Sequence, residues 1–174
     1  MYQVGDFVVY GSSGVCKVSA IGTPEMRHAD KAKSYYTLVP LYSTEIIYTP
    51  VDTKVFMRPV LSQKEAENLI QQIPKLGEKA VEAKTQPLLT EQYQMSFQSH
   101  NCNDLICLVK AIYKKTSKAK SQGKKPAQID EKYRKRAEDL LYGELAVALN
   151  LEKDEVKDYL KAVLEGTEKA AKTA

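Results

Sequence analysis

Up to Val60 the apolar positions come in short runs rich in β-branched and aromatic residues: Phe7 to Tyr10, Val15 to Ile21, Tyr35 to Leu41, Ile46 to Thr49 and Val55 to Val60. Turn-forming or polar residues cut each run off, among them Gly5-Asp6, Gly11-Ser12-Ser13-Gly14 and the stretch Thr23 to Ser34. Such runs predict strands, and two glycines flanking two serines between the first pair predict a tight β-hairpin. Five short strands cannot make a large sandwich. They predict a small, strongly bent antiparallel barrel of the Tudor-like or SH3-like kind.

From Ser62 the period changes from two to that of a helix. Ser62-Gln63-Lys64-Glu65 reads as a capping box opening a helix through Leu69, Ile70 and Ile73 that Pro74 ends. The polar stretch EKAVEAKTQP after Gly77 reads as a short helix or a linker turn. Thr90 is the expected N-cap of EQYQMSFQS, with Tyr93 and Phe97 on one face, and Asn103 or Asp104 that of LICLVKAIYKK. The longest run, IDEKYRKRAEDLLYGELAVALN, repeats apolar positions at helical spacing and contains Gly143, which allows close approach of another helix. A last helix is expected from about Lys153 to Glu165, stopped by Gly166, with TEKAAKTA fraying. The fold class is therefore α+β by domains: an all-β barrel over residues 1–60, then an all-α helical bundle over 61–174.

Composition narrows the function. In 174 residues no apolar run approaches the roughly 20 needed to span a membrane, and MYQVGD lacks the order of a secretory signal, so a soluble cytoplasmic protein is expected. Cys16, Cys102 and Cys107 leave an odd thiol under any pairing and read as free thiols. His100, Cys102 and Cys107 lack both a usual zinc spacing and a fourth ligand, so no metal and no cofactor are expected. His28 and His100 have no nucleophile arranged around them, and GSSG lacks the Lys-Ser/Thr and following helix of a phosphate loop. An enzyme is not expected.

Charge supplies the stronger clue. The net charge is +4, yet between Leu105 and Arg136 eleven bases face only Asp130 and Glu131, a local +9 that leaves −5 for the rest. Lysine-rich helix faces are often simply solvated, and SKAKSQGKKP reads as a soluble loop. Seven lysines from Lys110 to Lys125 without an acid exceed what solubility requires, and favour contact with a phosphate backbone. No row of Asn, Gln or Arg is spaced to read base edges, so such contact would not be sequence-specific.

VGDFVVYGSSGVCKVSAI, YTPVD and RAEDLLYGELAVALN, in this order and spacing, resemble the CarD family of bacterial RNA polymerase-binding transcription regulators over nearly the whole chain. The resemblance implies a Tudor-like module from about Met1 to Val60, similar to the polymerase-interacting domain of transcription-repair coupling factors, that docks on the polymerase β subunit partly by extending a sheet. Pro24, Met26 and Tyr48 align with family contact positions. Some members carry arginine where Pro24 and Tyr48 stand, and Arg27 is a local substitute.

By the same resemblance the helical domain contacts promoter DNA at the upstream edge of the transcription bubble, where several members insert a tryptophan. This chain has none; the matching position is Leu89, close to Tyr93, and Leu88 and Leu89 read equally as core. Lys114, Lys115, Lys118, Lys124, Lys125, Lys132 and Arg136 are the expected backbone-contacting bases.

The expected protein is thus a monomeric, non-enzymatic regulator that binds RNA polymerase and modulates open-complex stability. The alternative is a Tudor- or KOW-like module that binds RNA or a ribosomal partner, with Tyr35, Tyr36, Tyr42 and Tyr48 for stacking.

Overall fold

The computed structural model describes residues 1–77 and 83–173, with side chains described up to Gly166. The chain divides into two compact units, Met1–Leu61 and Ser62–Ala174.

The first unit is a five-stranded antiparallel sheet of β1 (Phe7–Tyr10), β2 (Gly14–Gly22), β3 (Tyr35–Pro40), β4 (Ile47–Pro50) and β5 (Met57–Pro59). The strand order is β4-β3-β2-β1-β5. The GSSG hairpin forms as expected, with Tyr10 opposite Gly14 and the Ser13 N–H donating to the Tyr10 carbonyl at 2.9 Å. Gly11 and Gly14 both have positive φ, at 46° and 77°, and a Cβ on Gly11 would lie 3.1 Å from Val55 Cγ1. Both backbone and space therefore demand glycine there.

Val8, Cys16, Val18, Tyr36 and Leu38 form the core of this unit, and Ile47 of β4 and Met57 of β5 pack against them. Strands from opposite ends of the order share one core, so the sheet is curled. The Tyr10 hydroxyl on β1 reaches Thr49 Oγ1 on β4 at 3.1 Å. In a flat sheet those strands would lie about 14 Å apart. A register shift between Val18 and Ala20 bends β2, and the Ser19 hydroxyl there donates to the Thr37 carbonyl at 3.2 Å. The ladders do not close: among the described residues β4 pairs only with β3, and β5 only with β1.

The second unit is helical. The capping box at Ser62 forms, with the Glu65 N–H donating to Ser62 Oγ and the Ser62 N–H to Glu65 Oε2, and opens α1 (Gln63–Gln72). Pro74 sits inside a short 3₁₀ turn, Ile73–Lys75, that ends this helix. Of EKAVEAKTQP, residues 78–82 lie outside the described residues.

Three expected boundaries are corrected. Helix α2 spans Gln86–Gln98 with Thr85 as N-cap and Pro87 in its first turn, so Thr90 is internal and its hydroxyl donates to the Gln86 carbonyl. Proline suits that position because its fixed φ is helical and its missing N–H has no partner to lose. Helix α3 spans Cys102–Ser121, capped by Asn101, whose Oδ1 accepts from the Asp104 N–H at 2.9 Å; Asn103 and Asp104 lie within its first turn. Much of SKAKSQGKKP is thus helix. Only the residues after Ser121 form the connection, turned by Gly123 at φ 72° with Lys124 N–H returning to the Ala119 carbonyl.

Helix α4 spans Gln128–Leu149 and ends on Asn150 at φ 55°. Helix α5 spans Lys153–Thr173 and passes through Gly166, which does not adopt a positive φ. A glycine stops a helix only when it turns left-handed, and the alanines, lysines and glutamate beyond it favour continuation. Val156 and Leu160 of α5 are buried, as are Ile112 of α3, Leu145 of α4 and Ile70 of α1.

Candidate functional site

Strand β4 is a sheet edge. Its inward residue Thr49 is buried, whereas Tyr48, opposite Thr37, is 41% exposed, and Ile46 just before the strand is 56% exposed. An edge strand offers unpaired N–H and C=O groups to another chain, and here exposed apolar side chains accompany them. The connection from Thr23 to Ser34 leaves β2 beside the far end of β4, since Gly22 faces Tyr35 and Tyr35 faces Pro50.

Local bonds shape that connection. The Met26 N–H donates to the Pro24 carbonyl at 2.8 Å, the Thr23 hydroxyl to the Lys33 carbonyl at 3.1 Å, and the Asp30 N–H to the Tyr35 hydroxyl at 3.2 Å. Met26 is 48% exposed and Arg27 is exposed, with Pro24 half-buried. Pro24, Met26, Arg27 and Tyr48 therefore belong to one end of the sheet. Of the tyrosines considered for stacking, Tyr36 is excluded. It is 3% exposed, its hydroxyl accepts from the Tyr2 N–H, and its ring meets that of Tyr2 edge-on.

In the second unit the bases separate into two kinds. Lys118, Lys124 and Lys125 are exposed around the corner between α3 and α4, where Lys120 joins them, and Lys132 and Arg136 are exposed one turn apart on α4. Lys114 is exposed one turn before Lys118. Arg136 lies over the Phe97 ring at 4.5 Å and Lys132 over Tyr133 at 6.0 Å, interactions that hold the side chains along the surface while leaving their charge to solvent.

Lys110 and Lys115 are turned inward. Lys110 Nζ donates to the carbonyls of Ile73 at 3.0 Å and Leu76 at 2.6 Å, satisfying the end of the 3₁₀ turn. Lys115 Nζ lies 3.0 Å from Oδ1 of Asp130, a carboxylate 2% exposed that also accepts from the Tyr93 hydroxyl. Burying that carboxylate is tolerable only because both partners are present. Lys115 thus neutralises an internal charge, with its side chain 38% exposed.

Leu89 and Tyr93 lie in the core of the helical unit. Tyr93 is fully buried, Leu89 is 9% exposed, and the Tyr93 ring packs on Tyr133 at 5.2 Å. Burial and the Asp130 hydrogen bond both hold the Tyr93 phenol well above the ordinary tyrosine range, so it stays protonated. The exposed apolar residues on α2 are Leu88, at 49%, and Met95, at 61% and two turns away on the same face. Leu89, Tyr93 and Phe97 follow one another at intervals of four, and extending that stripe back from Phe97 identifies Leu89 as its inner end.

His28 lies in the Thr23 to Ser34 connection and His100 between α2 and α3 at φ 53°. Among the described residues no three His, Cys, Asp or Glu side chains are grouped to hold a metal ion. No helix among them is long and apolar enough to cross a membrane.

No curated protein matches the chain. Residues 2–61, which span the curled sheet and its exposed β4 edge, match the family model described as the CarD-like/TRCF RID domain. That family is a non-catalytic protein-interaction domain that engages the β subunit of RNA polymerase. The first unit of this chain thus matches the RNA polymerase-interacting domain of CarD-like proteins, a match that supports a transcription-related role for the chain.

Proposed function

We propose that this chain docks on the RNA polymerase β subunit along β4 and lays the basic corner of its helical unit on promoter DNA, shifting the stability of the open complex. The match of residues 2–61 to the RID domain carries the first half. Docking by strand addition draws affinity from the backbone of β4, with Tyr48, Met26, Arg27 and Pro24 setting specificity beside it. Tyr48 supplies a ring where some relatives supply arginine, so stacking and apolar contact replace ion pairing at that position.

Lys114, Lys118, Lys124, Lys125, Lys132 and Arg136 support the second half, as exposed bases spread over α3, α4 and the corner between them. Lysines on such a surface neutralise phosphates without reading bases, so the DNA contact is not sequence-specific. With Leu89 buried, Leu88 is the leucine that α2 presents to a distorted groove. DNA contacts that form only in the open state shift the equilibrium towards it, and contacts equal in both states do not.

The deciding experiment measures binding of the full chain to a purified polymerase β-lobe and, separately, its effect on open-complex lifetime. Tyr48→Glu is expected to abolish both. Reversal of Lys118, Lys124 and Lys125 to glutamate is expected to abolish only the second. Retention of β-lobe binding by Tyr48→Glu, combined with salt-sensitive capture of single-stranded RNA by the wild type, would favour the RNA-binding alternative.

A further inference from the structure

The helical unit contains a cavity of about 450 Å³ that neither proposed interface uses. Its walls are Ile73 beyond α1, Ile106 and Val109 of α3, Leu141 of α4, and Leu160 and Leu164 of α5. A bundle this small is expected to be packed nearly as densely as an organic crystal. The pocket is open to solvent along one side, its walls are largely apolar, and its volume falls within the range of small-molecule sites.

The polar groups at its margin are specific in kind. Lys110, Lys157 and Lys161 face Asp158 and Glu165, so the margin carries three positive charges against two negative. Lys110 Nζ uses two of its three N–H groups on the carbonyls of Ile73 and Leu76, which fixes the ammonium and leaves one donor for another acceptor. Tyr142 contributes its ring to the lining, while its hydroxyl lies in the field of Glu138, Tyr113 and Arg134. Burial and the neighbouring Glu138 carboxylate hold its pKa up at about 12.

We infer that this pocket is a binding site for a medium-chain monocarboxylate, with the alkyl chain between α3, α4 and α5 and the carboxylate between Lys110 and Lys161. An apolar body matches the walls, and a single negative charge matches the excess of one base over acids at the margin. A phosphate dianion or polyanion would meet Asp158 and Glu165 with uncompensated charge. The site is independent of the polymerase and DNA surfaces, because none of its residues belongs to either.

The test uses the full chain and decanoate below its micelle concentration, followed by titration calorimetry and saturation-transfer NMR. Saturable binding of one decanoate per chain is expected, with at least tenfold weaker binding of decanol. Leu164→Trp, which fills the cavity and introduces the single tryptophan of the chain, should abolish binding while leaving the helical circular dichroism unchanged. Lys161→Gln, which removes a charge from an exposed side chain at the margin, should keep the melting temperature and weaken decanoate several-fold while leaving decanol unaffected. Absence of saturable binding, equal affinity for decanol, or undiminished decanoate binding by a folded Leu164→Trp or by Lys161→Gln would each overturn the inference.

Discussion

The hydroxyl of Tyr93, on α2, donates to the carboxylate of Asp130, in the first turn of α4. Lys115 of α3 reaches the same oxygen at 3.0 Å, so one buried charge ties three helices together. Removing one partner leaves the carboxylate under-satisfied in a poorly solvated place, the costly direction in which to break such an interaction. Tyr93→Phe is expected to cost about 2 kcal/mol, and Asp130→Asn combined with it should cost less than the sum of the single changes. Equilibrium urea unfolding of the two single variants and the double variant checks this through their midpoints at constant slope.

The engagement of Lys115 with Asp130 separates two effects that a lysine scan would otherwise mix. Lys115→Gln is expected to lower stability, with its DNA affinity changing only through the folded fraction. Gln at Lys118, Lys124 and Lys125, all exposed, should leave the unfolding midpoint in place. Those changes should also reduce the slope of log affinity against log salt by about 0.9 for each phosphate that is no longer neutralised. Fluorescence anisotropy with duplexes of unrelated sequence, at several salt concentrations, measures that slope. On the proposed reading equal effects on every duplex are expected, since lysines that neutralise phosphates do not read bases.

In the sheet, the Tyr10 hydroxyl and Thr49 Oγ1 join β1 to β4 across the curl, although two strands separate them in the ladder order. Tyr10→Phe is expected to cost about 1 kcal/mol, the ordinary worth of one such bond. Leu38→Ala, at a side chain with no exposed surface in the centre of the same core, is expected to cost about 3 kcal/mol. The comparison tests whether packing or the hydroxyl bridge dominates the curl. Chemical unfolding followed by a probe in the first unit gives both values.

Much of this arrangement is legible in the sequence where local chemistry and burial agree. The GSSG turn, the Ser62 capping box and the five apolar runs each carry a local signal that tertiary packing reinforces. Boundaries slip where two candidate caps compete: Thr90 and Asn103 are good capping residues in isolation, but Pro87 and Asn101 lie earlier and start their helices first. The lysines are countable but not sortable. Whether Lys115 faces solvent or Asp130 depends on the approach of α4 to α3, a long-range relationship absent from any short window. Alignment to a family position draws Leu89 outward, whereas its spacing of four from Tyr93 already places it on the inner stripe.

The cysteines give a prediction of opposite sign to the usual carboxylate case. Cys16 is fully buried between β1 and β3, and burial pushes its thiol up to about 11 from an ordinary 9.0. Between those values the folded unit retains a proton that the unfolded chain releases, so stability falls as pH rises through that window and is unaffected below it. Tyr2 and Tyr142, whose phenols burial also raises, add a loss of the same sign at the upper end. Thermal unfolding of wild type and Cys16→Ala from pH 8 to 11 isolates the thiol contribution as the difference between the two slopes, with the shallower slope expected for Cys16→Ala. In the native protein at pH 8, Ellman's reagent should label the half-buried Cys107 first, and the buried Cys16 and Cys102 only after unfolding. Prompt reaction of Cys16 under native conditions would mean that the curled sheet opens far more readily than its packed core implies.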